Sequence, residues 1–131
     1  MHNESSFKDI RYDKEKLQEL GETIVAKPDV FFASVAEDEN KVILGMFVGV
    51  ITEYYFSKDT MASDLLFYVD ENKRGALACL KMFKEFELWA KRNNAKEVRP
   101  ATSTGIQVQR TAKLYEHLGY EQTGHTFRKV L

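Results

Sequence analysis

The stretch Lys73-Arg74-Gly75-Ala76-Leu77-Ala78 joins residue types that can hold an anion. The apolar run Leu65-Leu66-Phe67-Tyr68-Val69 precedes it, and an amphipathic helical pattern follows it to Arg92. A strand, a short basic turn with glycine and a helix N-terminus can cradle a phosphate. First-turn N–H groups lack intrahelical partners, the macrodipole is positive there, and glycine lets an anion approach the backbone closely. Taken alone, the same turn is equally a helix start with an exposed Lys-Arg pair. A second segment, Ala112-Lys113-Leu114-Tyr115-Glu116-His117-Leu118-Gly119-Tyr120, stands at the spacing of another helix in the same sheet-and-helix unit.

The elements that would position these segments follow from periodicity and breakers. Asp13 caps a helix with Leu17, Leu20, Gly21, Ile24 and Val25 on one stripe, and Pro28 ends it at about Lys27. Val30 to Val35 reads as a strand, Glu37 to Lys41 as a polar turn, and Val42 to Phe56 as a longer hairpin partner. Gly45 and Gly49 share a face with Ile43, Phe47 and Ile51, which suggests a bulge or a close backbone approach. A loop over Ser57 to Thr60 leads to a third strand, Met61 to Asp70.

The helix Ala76 to Arg92 turns Ala76, Cys79, Leu80, Phe83, Phe86 and Ala90 inward. Lys81, Lys84, Glu85, Lys91 and Arg92 face solvent, and Asn93-Asn94 ends the helix. Lys96 to Ala101 is a short strand interrupted by Pro100. The last helix sets Val108, Thr111, Ala112, Tyr115 and Leu118 on a stripe, with Gly119 as its left-handed cap. Thr123 to Leu131 is expected to close the sheet. The order of elements is that of an α+β or mixed three-layer fold.

Bulk properties narrow the function. A chain of 131 residues is expected to form one domain, 1–131, and 44% hydrophobic with 30% charged residues is ordinary globular composition. A net charge of -1 argues against an electrostatic nucleic-acid binder. The single cysteine, Cys79, fits a reducing compartment and reads as an inert core thiol on a buried stripe. Met1 to Ser6 lack a signal-peptide apolar core, and the longest apolar run, Val42 to Ile51, is too short to span a bilayer. The histidines His2, His117 and His125 have no ligand spacing, so no metal is expected.

From Asp64 to Lys129 the order and motifs resemble the two central motifs of the GNAT superfamily of N-acetyltransferases. Phe86-Glu87-Leu88-Trp89-Ala90, Ser103-Thr104-Gly105, Arg110-Thr111 and Tyr115-Glu116 are similar in wording to its small tailed-phage members. The resemblance implies a GNAT-like, mainly antiparallel mixed sheet with helices on both faces, and a cytoplasmic protein (host cytoplasm if phage-encoded). It also implies acetyl transfer from acetyl-CoA to a primary amine by direct attack. The family's pyrophosphate turn, Arg/Gln-x-x-Gly-x-Gly/Ala, is altered here. Aligned on Arg74, its small positions become Leu77 and Cys79; aligned on Asn72, Gly75 is kept but Leu77 replaces the last one. Main-chain N–H groups would still serve the phosphates, and Leu77 would have to point into the core.

The resemblance assigns roles residue by residue. Lys73, Arg74, Gly75, Ala76, Leu77 and Ala78 would hold the pyrophosphate, main-chain groups of Phe67, Tyr68 and Val69 the pantetheine amides, and Gln109 stands where the family often has Asn. Tyr115 matches the general acid that protonates the departing thiolate. Asp64 matches a catalytic carboxylate on its strand, where alternation sets it on a face with Leu66 and Tyr68 and should raise its pKa. Glu53 is the second candidate base. Tyr54, Tyr55 and Phe56 could wall an acceptor pocket or pack a sheet edge. Two alternatives stay open: a catalytically silent GNAT-fold domain that binds a partner protein, and acylation of a nucleic-acid base or tRNA-linked amine. The partners expected are thus a coenzyme A thioester and an unidentified amine, with no membrane; a homodimer is compatible with the chain.

Overall fold

Helix α1 (Lys14–Ala26) begins where the Asp13 carboxylate accepts from the backbone N–H of Glu15 and Lys16, a side-chain cap of two otherwise orphaned donors. The computed structural model describes residues 2–70, 72 and 77–131, and for Ala78 the backbone alone. The anion turn at Lys73, Arg74, Gly75 and Ala76 therefore lies outside the described residues. The described chain forms two compact units, Asp13–Pro100 and Met1–Tyr12 with Ala101–Leu131.

The first unit holds α1, β1 (Phe31–Glu37), β2 (Ile43–Tyr54), β3 (Ser57–Val69), α2 (Leu77–Arg92) and β4 (Glu97–Arg99). The sheet order is β1-β2-β3-β4, antiparallel except for the parallel β3–β4 pair. The β1–β2 turn is held by the Asp38 carboxylate, which accepts from the N–H of Asn40 and Val42. Packing of α2 on the sheet makes the core. Phe47, Phe83 and Phe86 are fully buried, with Cys79, Met82 and Ala90 beside them. Phe86 lies 4.6 Å from Phe47 and Phe83 4.9 Å from it, centroid to centroid.

Gly49 sits under this cluster. A Cβ built there would stand 2.2 Å from Phe86 Cε2, so what packs closely on this glycine is a ring and not the other backbone expected. The bulge is present too: Val48 pairs with Leu66 but Gly49 pairs with Asp64, leaving Leu65 as an extra residue on β3.

Three expectations need correction. The loop at Ser57–Thr60 is part of β3, and the turn is the two residues Tyr55 and Phe56. Polar Ser57, Lys58 and Asp59 imitate a turn, yet the Ser57 hydroxyl only steadies the Asp59 N–H inside a strand irregularity. Leu77 does not point into the core but is 82% exposed. It precedes buried Cys79 by two residues, about 200° around the helix. In α1, which packs along edge strand β1, Leu17 and Val25 are exposed and Leu20 and Ile24 half-buried. Thr123–Leu131 is not a strand in the described chain. Its alternate positions mix polar and apolar groups on both faces, so neither face drives pairing.

In the second unit, α3 (Val108–His117) is preceded by Gln107 in the left-handed region and followed by Gly119 at φ 90°. The Tyr120 N–H donates to the Tyr115 carbonyl and the Gly119 N–H to that of Glu116, a Schellman cap. The N-terminal segment is tied in by the Ser6 N–H donating to the Thr104 carbonyl at 2.7 Å and by Arg128 donating to the Ser6 carbonyl.

Candidate functional site

Strand β3 carries most of the residues singled out for chemistry. Its parallel ladder with β4 covers only Met61↔Glu97, Ala62↔Val98 and Ser63↔Arg99, and β3 then runs on to Val69 past the end of β4. Main-chain groups at Leu65, Leu66 and Phe67 thus lie beyond that ladder, where an extended amide-bearing ligand could lie along the strand. The Phe67 side chain belongs to the core, 5.0 Å from Phe83, and Val69 is buried opposite Gly45. Tyr68 is half-buried opposite Met46. Any role of these three in ligand binding would therefore fall to their backbone.

Asp64 is half-buried, but not on the face that simple alternation gives it. Cross-strand partners share a face, so Asp64 lies with Gly49 and buried Ala62 on the α2 side, whereas Leu66 and Tyr68 lie with Val48 and Met46 on the other. The bulge at Leu65 reverses the phase. Glu53 is exposed near the end of β2, opposite Thr60.

Tyr115 is the one buried residue of α3, at 8% exposure. Its hydroxyl donates to the Ala101 carbonyl at 3.1 Å, and its ring meets Tyr120 edge-on at 5.9 Å. The ring is fixed by packing and by the Schellman cap just behind it. The hydroxyl is thereby held at the residue that follows Pro100. Gln109 is exposed on the same helix.

A third constellation stands at the tip of the β2–β3 hairpin. The Tyr54 hydroxyl reaches across β3 and donates to Glu97 Oε1, which also accepts from Arg99 Nη1 at 3.0 Å. Lys96 Nζ lies 3.9 Å from Asp59 Oδ1. The hydrogen bond to anionic Glu97 raises the Tyr54 pKa, and partial desolvation adds to it. The bond from Tyr54, followed by that from Arg99, lowers the Glu97 pKa. These groups and the rings of Tyr55 and Phe56 line an open depression of about 730 Å³. Glu97 and Arg99 were not singled out from the sequence. The signal was there: opposite charges two apart on a strand share a face.

Among the described residues no cluster of His, Cys, Asp and Glu could hold a metal ion, and no helix is long and apolar enough to cross a membrane.

No family model and no curated protein matches the chain. Solved structures do. AAC(6')-Iy, in complex with the bisubstrate analog CoA-S-monomethyl-acetylneamine, superposes with a TM-score of 0.76 at 17% identity, covering 93% of this chain and 84% of that one. Glucosamine-6-phosphate N-acetyltransferase from Arabidopsis thaliana gives a TM-score of 0.73 at 17% identity, over 92% of this chain and 80% of that one. A GNAT family acetyltransferase from Staphylococcus aureus subsp. aureus gives 0.63 at 19%, over 92% and 78%. The chain has the α+β fold of these acetyltransferases.

Proposed function

We propose that the chain is an acetyl-CoA-dependent N-acetyltransferase of the GNAT type, residues 1–131 being its acyltransferase domain and a primary amine the acceptor. The observation that carries this reading is a fold likeness over 93% of the chain to an acetyltransferase solved with a coenzyme A bisubstrate analog. The position of Tyr115 adds to it. Its side chain is buried and its hydroxyl donates to a backbone carbonyl, so a phenolic proton is held in a fixed position.

In the proposed reaction the amine gives up a proton to Asp64 or Glu53, directly or through water, and its lone pair attacks the thioester carbonyl. The C–S bond then breaks, Tyr115 protonates the departing sulfur, and the surplus proton on the acylated nitrogen passes, directly or through water, to the phenolate. Backbone groups of Phe67, Tyr68 and Val69 would hold the pantetheine arm, and Lys73 to Ala78 the pyrophosphate. Gln109 would take the place of the family's Asn. Cys79, buried on α2, takes no part. The protein would act in the cytoplasm. The test is release of free thiol from acetyl-CoA across a panel of primary amines. Calorimetry showing no coenzyme A binding to the folded protein would overturn the reading in favour of a silent, partner-binding domain.

A further inference from the structure

The hairpin tip holds an arrangement that the proposed reaction does not use. Met61 pairs with Thr52 of β2 and with Glu97 of β4, so Glu97 belongs to the face opposite α2. Tyr54 spans β3 on that face to reach it. The Tyr54 and Phe56 rings lie 5.4 Å apart at 33°, and Tyr55 meets Phe56 at 5.0 Å and 85°. Two rings nearly side by side and a third across them form a corner of π faces. Tyr54 is half-buried, whereas Phe56 is 72% exposed and Tyr55 fully so. Such faces attract a cation within about 6 Å of the ring centroid.

The charges around the corner are matched, Asp59 against Lys96 and Glu97 against Arg99. Both partners of Glu97, however, bind the same oxygen, Oε1. Among the described residues Oε2 takes no hydrogen bond, and Glu97 lines the aromatic depression.

We infer that this depression is a recognition subsite for an organic cation, and that the acceptor is an amine with a second cationic nitrogen, an alkyl diamine or polyamine. The second nitrogen sits against the Tyr54–Tyr55–Phe56 corner and donates to Glu97 Oε2. The carboxylate remains charged at neutral pH, because Tyr54 and Arg99 both stabilise its anionic form. The site itself stands on hairpin geometry alone. Its assignment to the acceptor rests on the acetyltransferase reading given above.

The experiment separates the two. Binding of tetramethylammonium and of spermidine is measured by calorimetry and by ring-proton NMR shifts, without acetyl-CoA, on the wild type, Glu97→Gln and Phe56→Ser. Phe56 is in an exposed turn, so its variant keeps the fold even if Glu97→Gln disturbs β4. Both cations are expected to bind the wild type and shift the Tyr55 and Phe56 resonances. Each substitution is expected to weaken spermidine about tenfold. In acetyl-transfer assays the preference for spermidine over a monoamine of equal length, as a ratio of kcat/KM values, is expected to fall by a similar factor. Absence of cation binding to the wild type, or equal binding by both variants, overturns the subsite whatever the transferase assay gives. Cation binding with an unchanged preference ratio overturns its assignment to the acceptor. Cation binding without transfer to any amine removes the acetyltransferase reading and leaves the subsite standing.

Discussion

Two aromatic clusters occupy the same unit, and their rings stand at similar separations. Under α2, Phe47, Phe83 and Phe86 meet at 4.6–4.9 Å with no polar atom among their side chains, and all three are fully buried. At the hairpin tip, Tyr54, Tyr55 and Phe56 meet at 5.0–5.4 Å, and Tyr54 is tied to a carboxylate. Ring geometry alone therefore does not separate a core from a ligand surface. What separates them is whether water has already been removed: buried rings contribute to stability, whereas exposed ones beside a charge keep that contribution available for a ligand.

The largest expected effect lies in the first cluster. Phe86→Ala should cost about 3–5 kcal/mol in urea or thermal unfolding. Gly49→Ala should cost about 3 kcal/mol, since its Cβ would meet a ring wedged among Phe32, Phe47 and Trp89. In the Phe86→Ala background the second cost should largely vanish, because the ring that clashes is gone. Additive costs in that cycle would show that Gly49 is required for strand geometry and not for contact with α2.

The next effect concerns a buried tyrosine with a polar duty, which sits between the two extremes. Tyr115→Phe keeps the ring and its packing and removes the hydroxyl that now donates to Ala101. Turnover should fall about 10²-fold, the low end for general acid catalysis, because a thiolate is already a fair leaving group. Coenzyme A affinity should change little, as the charge on sulfur develops only in the transition state. Steady-state kinetics close to wild type would make Tyr115 a core residue and leave water to protonate the thiolate.

What the sequence made legible was local. The Asp13 cap, the Gly119 left-handed cap, the helix end at Asn93-Asn94 and the buried stripe of α2 each depend on residues within a turn or two of each other. Phases and pairings set across strands were hidden. One extra residue at Leu65 carries Asp64 to the α2 face, opposite a Gly49 that lies under Phe86, far away in the chain. Leu77 was misread because the helix phase counts from Cys79, not from a motif. The Tyr54–Glu97–Arg99 network joins residues from β2 and β4, strands that are not even neighbours in the sheet.

Asp64 tests how much that reversed phase matters. If it accepts the amine proton from its place opposite Gly49, Asp64→Asn should slow transfer at neutral pH about tenfold, since water can relay the same proton. The acidic limb of the pH–rate profile should disappear while the unfolding midpoint stays put. A profile that keeps its acidic limb would pass the role to Glu53 or to an ordered water.

The smallest effect belongs to the hairpin tip and is read through pH. Tyr54 has a raised pKa and Glu97 a lowered one, each chiefly because of the hydrogen bond they share. A raised tyrosine value means the native state holds its proton where the unfolded chain has begun to release it. The stability from Tyr54 is therefore complete below the ordinary value of about 10 and is lost as pH rises through the folded value. For Glu97 the sign is opposite. Its contribution is complete above the ordinary carboxylate value of about 4.3 and is lost as pH falls through the folded one. Tyr54→Phe keeps a ring in the corner but removes the bond, so it should flatten the stability curve at both ends and lower it most near neutrality, where both contributions are complete. Both groups border solvent, and salt should shrink the difference further. Urea midpoints of wild type and Tyr54→Phe taken between pH 3 and pH 11 measure it. Parallel curves would mean that the bond between Tyr54 and Glu97 does not persist in solution, and the two aromatic clusters would then differ in exposure alone.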